Sequence, residues 1–115
     1  MADCLFCKIV AGEIPANIVK RSEAVLAFRD IDPKAPTHVL VIPTRHIASV
    51  GSATGPDGER LLGRVLAFAA ELAGELGLTR DGYRIVTNTG KNAGQSVDHL
   101  HLHVLGGRKL SWPPG

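Results

Sequence analysis

Long apolar runs and a strong net charge are both missing from this chain of 115 residues. The longest apolar stretch, residues 61–73, is interrupted by Arg64 and Glu71, whereas a membrane-spanning helix needs about 18 or more apolar residues in succession. Lys and Arg together exceed Asp and Glu by only two charges, which is too few for sequence-independent electrostatic binding to nucleic-acid phosphates. We therefore expect neither a membrane nor a nucleic acid as a partner.

Cysteine is also scarce, since Cys4 and Cys7 are the only two. A single C-x-x-C pair cannot build a disulfide scaffold. The first residues carry neither the basic segment nor the apolar segment of a secretory signal, so we expect a cytoplasmic protein. In that compartment the two cysteines would be reduced thiols or metal ligands.

No internal repeat, linker or block of charge divides the chain. Apolar residues make up 44% and charged residues 21%, which is typical of a chain that folds into a globule. The length leaves no room for a second domain, so we predict a single domain over residues 1–115.

Hydrophobic periodicity predicts an antiparallel α+β fold. A short helix is expected over residues 5–11, and strands are expected over residues 18–20, 25–29, 38–42, 83–88 and 97–105. A long helix follows Thr54 and ends near Gly77. Its apolar face comprises Leu61, Leu62, Val65, Leu66, Ala69, Leu72, Ala73 and Leu76.

The last predicted strand carries three alternating histidines, His99, His101 and His103. Side chains alternate faces along a strand, so the three imidazoles project to one side, and the leucines and valine between them can pack on the long helix. Successive imidazoles would lie about 6.6–6.8 Å apart, close enough to share one ligand. A functional site is therefore favoured over a chance arrangement of histidines.

Two chemistries fit this histidine face. Two imidazoles at His-x-His spacing can bind zinc, with a third protein ligand and one open position for water. Alternatively, a neutral imidazole can act as a nucleophile and form a covalent intermediate. The preceding segment, residues 90–96, offers backbone N–H groups, Lys91, an amide and the Ser96 hydroxyl, which are donors suited to an anionic phosphoryl group.

The alternating motif from His99 to Leu105 resembles that of the histidine triad (HIT) family, and specifically its nucleotide-binding (HINT) branch. The resemblance covers nearly the whole chain. Further matching segments are Glu13-Ile14-Pro15, Ala35-Pro36-Thr37-His38, Leu40-Val41-Ile42-Pro43, Gly94-Gln95-Ser96-Val97, Leu105-Gly106-Gly107-Arg108 and Trp112-Pro113-Pro114-Gly115.

The resemblance implies the HIT fold, with a sheet of about five antiparallel strands, one long helix and one short helix. It also implies a homodimer in which the two sheets become continuous. The implied activity is hydrolysis of the P–N bond of purine nucleoside 5′-phosphoramidates, which contain an AMP or GMP moiety. Hydrolysis of dinucleoside polyphosphates is one alternative, and a nucleotide-binding or interaction module with incidental catalysis is another.

The resemblance also implies roles for individual residues. His101 would be the nucleophile that takes the nucleotidyl group, and no catalytic metal would be required. The implied catalytic residues are His101, His103, His99, His38 and Ser96. The implied nucleotide-binding residues are Asp30, Ile31, Phe6, Ile9, Phe28, Leu40, Asn88, Gly94, Gln95, Ser96, His101 and His103. Among the last group, Asp30 would bind the ribose hydroxyls, and Phe6, Ile9, Phe28, Ile31 and Leu40 would form the base pocket.

A subset of the resembling proteins binds zinc, which implies a structural zinc site made by Cys4, Cys7, His46 and His99. The C-x-x-C pair alone supplies only half of such a site. Asp98 departs from the family pattern, where an apolar residue is common. Alternation places Asp98 on the face opposite the histidines, where it would disturb local packing.

Overall fold

The computed structural model describes residues 3–115, and its centre is one antiparallel sheet of five strands. The strands are β1 (Ile18–Arg21), β2 (Val25–Arg29), β3 (Thr37–Pro43), β4 (Tyr83–Thr87) and β5 (Leu102–Gly106). Their spatial order is β1-β2-β3-β5-β4. The helices are α1 (Leu5–Val10) and α2 (Gly55–Glu75). The α+β prediction is confirmed, with one short helix, one long helix and five strands.

The two faces of the sheet bury separate apolar clusters because the strand side chains alternate. The long helix α2 covers one face, where its buried residues pack against Val25, Ala27, Val39, Val41 and Val104. The short helix α1 covers part of the other face, where Phe6 and Ile9 pack on Leu26, Phe28, Leu40 and Ile42. The face that carries α1 therefore keeps open area on β4 and β5.

The long helix begins after Thr54, with Pro56 in its first turn, as the sequence predicts. Val65, Ala69, Leu72 and Ala73 are buried against the sheet. The prediction was wrong for Leu66, which is 51% exposed. At 3.6 residues per turn, Leu66 lies about 100° around the helix from Val65, beyond the part that touches the sheet. Among residues 3–115, no helix is long and apolar enough to cross a bilayer.

The last strand is shorter than predicted, since β5 begins at Leu102 and not at Val97. Extending its register would put Leu100 opposite Pro43, which has no N–H to donate. The Leu100 N–H bonds instead to the Ile47 carbonyl oxygen at 2.6 Å. His99 therefore lies in a bend, His101 lies in irregular chain, and only His103 belongs to the strand.

The bend also corrects the expectation for Asp98. Its side chain is exposed and does not enter the core beneath α2, because the alternation of a regular strand does not extend to residue 98. The core side of this segment is occupied by Leu100, Leu102 and Val104. The departure from the family pattern at Asp98 therefore leaves core packing undisturbed.

Candidate active site

The open face of the sheet forms the floor of a cleft of about 640 Å³. Strand register aligns two rows of side chains across β3, β5 and β4 on this face. The rows are Leu40, His103 and Val86, and then His38, Leu105 and Arg84. Residues before and after these strands complete the cleft, namely Asp30, Asp32, Lys34, Asn88, Ser96, Arg108, Leu110 and Pro114.

His38 and His103 are joined by a hydrogen bond that identifies their tautomers. The Lys34 backbone N–H donates to Nδ1 of His38 at 3.0 Å, so the neutral His38 ring carries its proton on Nε2. That proton is donated to Nδ1 of His103 at 2.9 Å, with an Asp30 oxygen 3.4 Å away. His103 therefore accepts at Nδ1 and keeps an N–H donor at Nε2.

Burial disfavours the charged form of the histidines in this part of the site. Burial, followed by the neighbouring rings of His101 and His38, lowers the pKa of His103 to about 4. Burial is also the main cause of the lowered pKa of His38 and of His99. At neutral pH, His103 is thus a neutral hydrogen-bond donor at the wall of the cleft.

The tautomer of His101 differs from that of His38 and His103, which carry their proton on Nε2. Its Nδ1 lies 2.7 Å from the backbone oxygen of His99, and a carbonyl oxygen can only accept a hydrogen bond. The proton of the neutral ring is therefore on Nδ1, and Nε2 carries a lone pair. The ring is buried between Phe6, at a centroid distance of 5.1 Å, and His103, also at 5.1 Å. This arrangement suits a nucleophile.

The loop after β4 brings Asn88 and Ser96 into the cleft with His103. Gly94 adopts a left-handed conformation, with φ of 81°, which lets the chain turn back toward β5. The side-chain amide of Gln95 accepts from the Gly90 N–H and donates to the Ala48 and Val97 oxygens. Gln95 therefore fixes the loop that carries Ser96.

The residues expected to hold a base divide into two groups. Phe6, Ile9, Phe28 and Leu40 are buried in the cluster beneath α1, whereas Ile31 is fully exposed. A groove of about 400 Å³ runs beside this cluster, lined in part by Ile9, Phe28 and Ile31. Because Asp30 lines both this groove and the main cleft, the two spaces adjoin at this residue.

The four predicted metal ligands come together at the start of α1. The ligand atoms of Cys4, Cys7, His46 and His99 lie within 4.8 Å of one another. The Cys4 sulfur is 3.3 Å from Nδ1 of His99, and the Cys7 sulfur is 3.3 Å from Nδ1 of His46. Nε2 of His99 lies 2.9 Å from the Pro43 carbonyl oxygen, so the proton is there and the Nδ1 lone pair faces the sulfurs.

This donor set fits a tetrahedral zinc ion. Zinc–sulfur bonds of about 2.3 Å and zinc–nitrogen bonds of about 2.0–2.1 Å imply sulfur–nitrogen edges of about 3.6 Å. The observed edges of 3.3 to 3.6 Å are close to that value. With four protein ligands the site would be closed to substrate, which is typical of structural zinc. A bound zinc would tie α1, the loop after β3 and the histidine motif together.

Two arginines of the cleft, Arg84 and Arg108, were not predicted as site residues. Arg84 enters it only because β4 pairs with β5, which puts Arg84 opposite Leu105. Arg108 is in the cleft because its guanidinium donates to the Lys34 carbonyl oxygen at 2.7 Å. A second potential cation site, Asp30 with His38 and His103, also depends on pairing between strands distant in sequence.

The lowered pKa of His103 predicts a loss of stability in acid. The unfolded chain binds a proton on this histidine near pH 6.5, whereas the folded protein binds it only near pH 4. The stability contributed by neutral His103 is therefore complete above pH 6.5 and falls as the pH drops to about 4. Urea midpoints of zinc-saturated protein should fall over this interval, and less so for His103→Asn. Parallel pH profiles of the two proteins would contradict the assignment.

Comparison with known proteins agrees with this geometry. Residues 11–110 match the HIT domain family, and the chain belongs to that family. An uncharacterized HIT-like protein of Synechocystis sp. is 50% identical over 113 residues, which cover 98% of this chain and 97% of that protein. The purine nucleoside phosphoramidase of Escherichia coli K12 is 45% identical over 108 residues, covering 94% of this chain and 90% of that enzyme.

The fold closely matches that of a relative whose structure has been solved. The crystal structure of a HIT family hydrolase from Legionella pneumophila has a TM-score of 0.94 and 51% identity, covering 98% of this chain and 100% of that one. These comparisons confirm the resemblance that the histidine motif predicts, as well as the HIT fold.

Proposed function

We propose that this protein is a hydrolase that cleaves the P–N bond of purine nucleoside 5′-phosphoramidates through a covalent intermediate on His101. The observation that carries the proposal is the hydrogen bond from Nδ1 of His101 to the His99 oxygen, which leaves Nε2 as a free lone pair beside a neutral donor on His103. The likeness to the Escherichia coli phosphoramidase supports the same reaction.

The reaction would proceed in two displacements. Nε2 of His101 attacks phosphorus, the P–N bond breaks, and the amine departs with a solvent proton passed through the Ser96 hydroxyl. Water then attacks the nucleotidyl-imidazole, releases the nucleoside monophosphate and restores His101. During both steps the donors of His103, Ser96 and Asn88 would stabilise charge on the nonbridging oxygens.

His99 would act as a positioning residue for this chemistry. Its backbone oxygen holds the Nδ1 proton of His101, while its own imidazole faces Cys4 and Cys7. Zinc bound there would supply structural stability and keep the His99 backbone in place, without contact with the substrate. The displacement itself needs no catalytic metal.

The nucleoside would occupy the groove beside α1. Its base would lie along Ile9, Phe28 and Ile31, and its ribose would lie at Asp30, where the groove meets the cleft. The phosphoryl group would then reach His103. Phe6 and Leu40 would support this groove from beneath, since both are buried in the adjoining cluster.

The ribose assignment predicts a change in sugar discrimination. The Asp30 carboxylate can accept hydrogen bonds from both ribose hydroxyls, and a bond to a charged group contributes about 1.5–3 kcal/mol. Asp30→Ala should therefore narrow the ratio of kcat/KM between ribo- and 2′-deoxyribo-phosphoramidates. Asp32→Ala, on the same cleft wall, is the matched control. An unchanged ratio in Asp30→Ala would reject the assignment.

We also propose a cytoplasmic homodimer of subunits that each form a single HIT domain over residues 1–115, of which residues 1 and 2 lie outside the described part. The sheet has two edge strands. Pairing of β1 with β2 shifts register between Ile18 and Lys20, whereas β4 pairs regularly with β5 over all five residues. The regular strand β4 is the better edge for a continuous sheet. Sedimentation equilibrium would test this, and a monomer would contradict it.

Two other functions are distinguished by one experiment. The protein would be assayed on adenosine and guanosine phosphoramidates and on diadenosine polyphosphates. Preferred turnover of the phosphoramidates would support the proposal, and preferred turnover of the polyphosphates would favour a dinucleoside polyphosphate hydrolase. Tight nucleotide binding without turnover of either class would favour a binding module.

A further inference from the structure

The backbone that carries the proposed nucleophile lies just outside the ladder of the sheet. The paired register of β4 and β5 ends with Thr87 opposite Leu102, and His101 immediately precedes Leu102. His101 therefore lies in irregular chain, although its ring is buried between Phe6 and His103. Contacts other than the ladder must hold its backbone in the position from which Nε2 can attack.

Two hydrogen bonds from neighbouring segments hold this stretch of chain. The Leu100 N–H donates to the carbonyl oxygen of Ile47, in the loop after β3, at 2.6 Å. The Thr87 hydroxyl, at the end of β4, donates to the carbonyl oxygen of His101 at 2.9 Å. The first bond joins two main-chain groups, so it does not depend on the side chain at position 47. The second depends on a hydroxyl group, which the similarly shaped valine lacks.

Thr87 reaches the nucleophile from outside the cleft. Val86 lines the cleft, and Thr87 is the next residue of the same strand, so its side chain starts on the opposite face of the sheet. Any effect of Thr87 on the reaction would therefore pass through the His101 backbone. The reacting atoms of a displacement must be aligned at about 3–3.5 Å, so even a small shift of the nucleophile slows the reaction.

We propose that Thr87 is a positioning residue that holds the His101 backbone so that the Nε2 lone pair is aimed at the phosphorus atom. This inference rests on the proposed phosphoramidase activity. The His99 oxygen sets the tautomer of the His101 ring, whereas Thr87 restrains the backbone from which that ring extends. Loss of the Thr87 hydroxyl should therefore slow the attack on phosphorus and leave nucleotide binding intact.

The experiment compares Thr87→Val, which removes the hydroxyl, with Thr87→Ser, which retains it. The measured quantity is the rate of amine release from an adenosine phosphoramidate in a single turnover with saturating protein. Thr87→Val should lower this rate about 3–10-fold, the range expected for loss of one hydrogen bond. Thr87→Ser should retain most of the rate. Thr89→Val is the matched control, because Thr89 is an exposed threonine of the same segment that does not line the cleft.

A second measurement separates positioning from a general structural role. The Kd of AMP should change less than about twofold in Thr87→Val, and its Tm should stay within a few degrees, since valine is favoured in strands. An equal loss of rate in Thr87→Val and Thr87→Ser would overturn the role of Thr87, as would a rate in Thr87→Val within about twofold of that of the unmodified protein. Weaker AMP binding at an unchanged rate would overturn it too. Failure of the unmodified protein to hydrolyse phosphoramidates would instead overturn the proposed function.

Discussion

Replacing His101 should abolish turnover of an adenosine phosphoramidate while nucleotide binding survives. The expected loss in kcat is at least about 10³-fold for His101→Ala, because the covalent route needs the Nε2 lone pair. In His101→Asn, the side-chain amide can still donate to the His99 oxygen but has no atom at the Nε2 position. Both variants should be inactive, and both should bind AMP nearly as well as the unmodified protein.

Rapid quenching during turnover tests directly for the covalent nucleotidyl intermediate on His101. Mass spectrometry of protein quenched during turnover should find the AMP mass on the peptide that contains His101, and not in His101→Asn. The competing mechanism uses a metal ion held by Asp30, His38 and His103, whose ligand atoms also lie within 4.8 Å of one another. A metal-activated water would leave no adduct, and activity would follow metal occupancy. Activity in His101→Ala would falsify the covalent route.

Loss of the two thiols should cause the largest change in stability. The helix α1 has only six residues, far fewer than an isolated helix needs to persist in water. Cys4 and Cys7 would connect it through zinc to His46 and His99, which are distant in sequence. In a Cys4→Ser/Cys7→Ser variant, about one zinc per chain should be lost, and Tm should fall by roughly 10 °C or more.

The double-serine variant should also lose activity. Because the His99 oxygen orients His101, kcat should fall in the double-serine variant even at temperatures where it remains folded. Leu5→Ala is the matched control, since Leu5 is an exposed residue of α1 that is not a ligand. Unmodified protein that is purified without zinc, and whose Tm does not respond to added zinc, would contradict the metal centre.

The alternation of His and Leu was sufficient to predict which side chains share a face, although not where the strand begins. His103 and Leu102 follow strand geometry, whereas His99 lies in a bend. The decisive residue is Pro43 on a different strand, which supplies no N–H for the ladder and whose oxygen instead faces the His99 ring. The position of Pro43 relative to the histidine motif depends on the pairing of β3 with β5, so the motif alone does not predict where β5 begins.

Local patterns by themselves determined the class of fold, the long helix, the strands β1 and β2, and which face carries the alternating histidines. These features depend on periodicity, turn residues and capping, which act between near neighbours in sequence. The partnership of His38 with His103 spans 65 positions, and the cysteine pair meets His99 across more than 90. Only the pairing of β3 with β5 and the docking of α1 bring those atoms together. The tautomers, the lowered pKa of His103 and the position of Arg84 were therefore decided by tertiary structure, because each depends on distances between segments far apart in the chain.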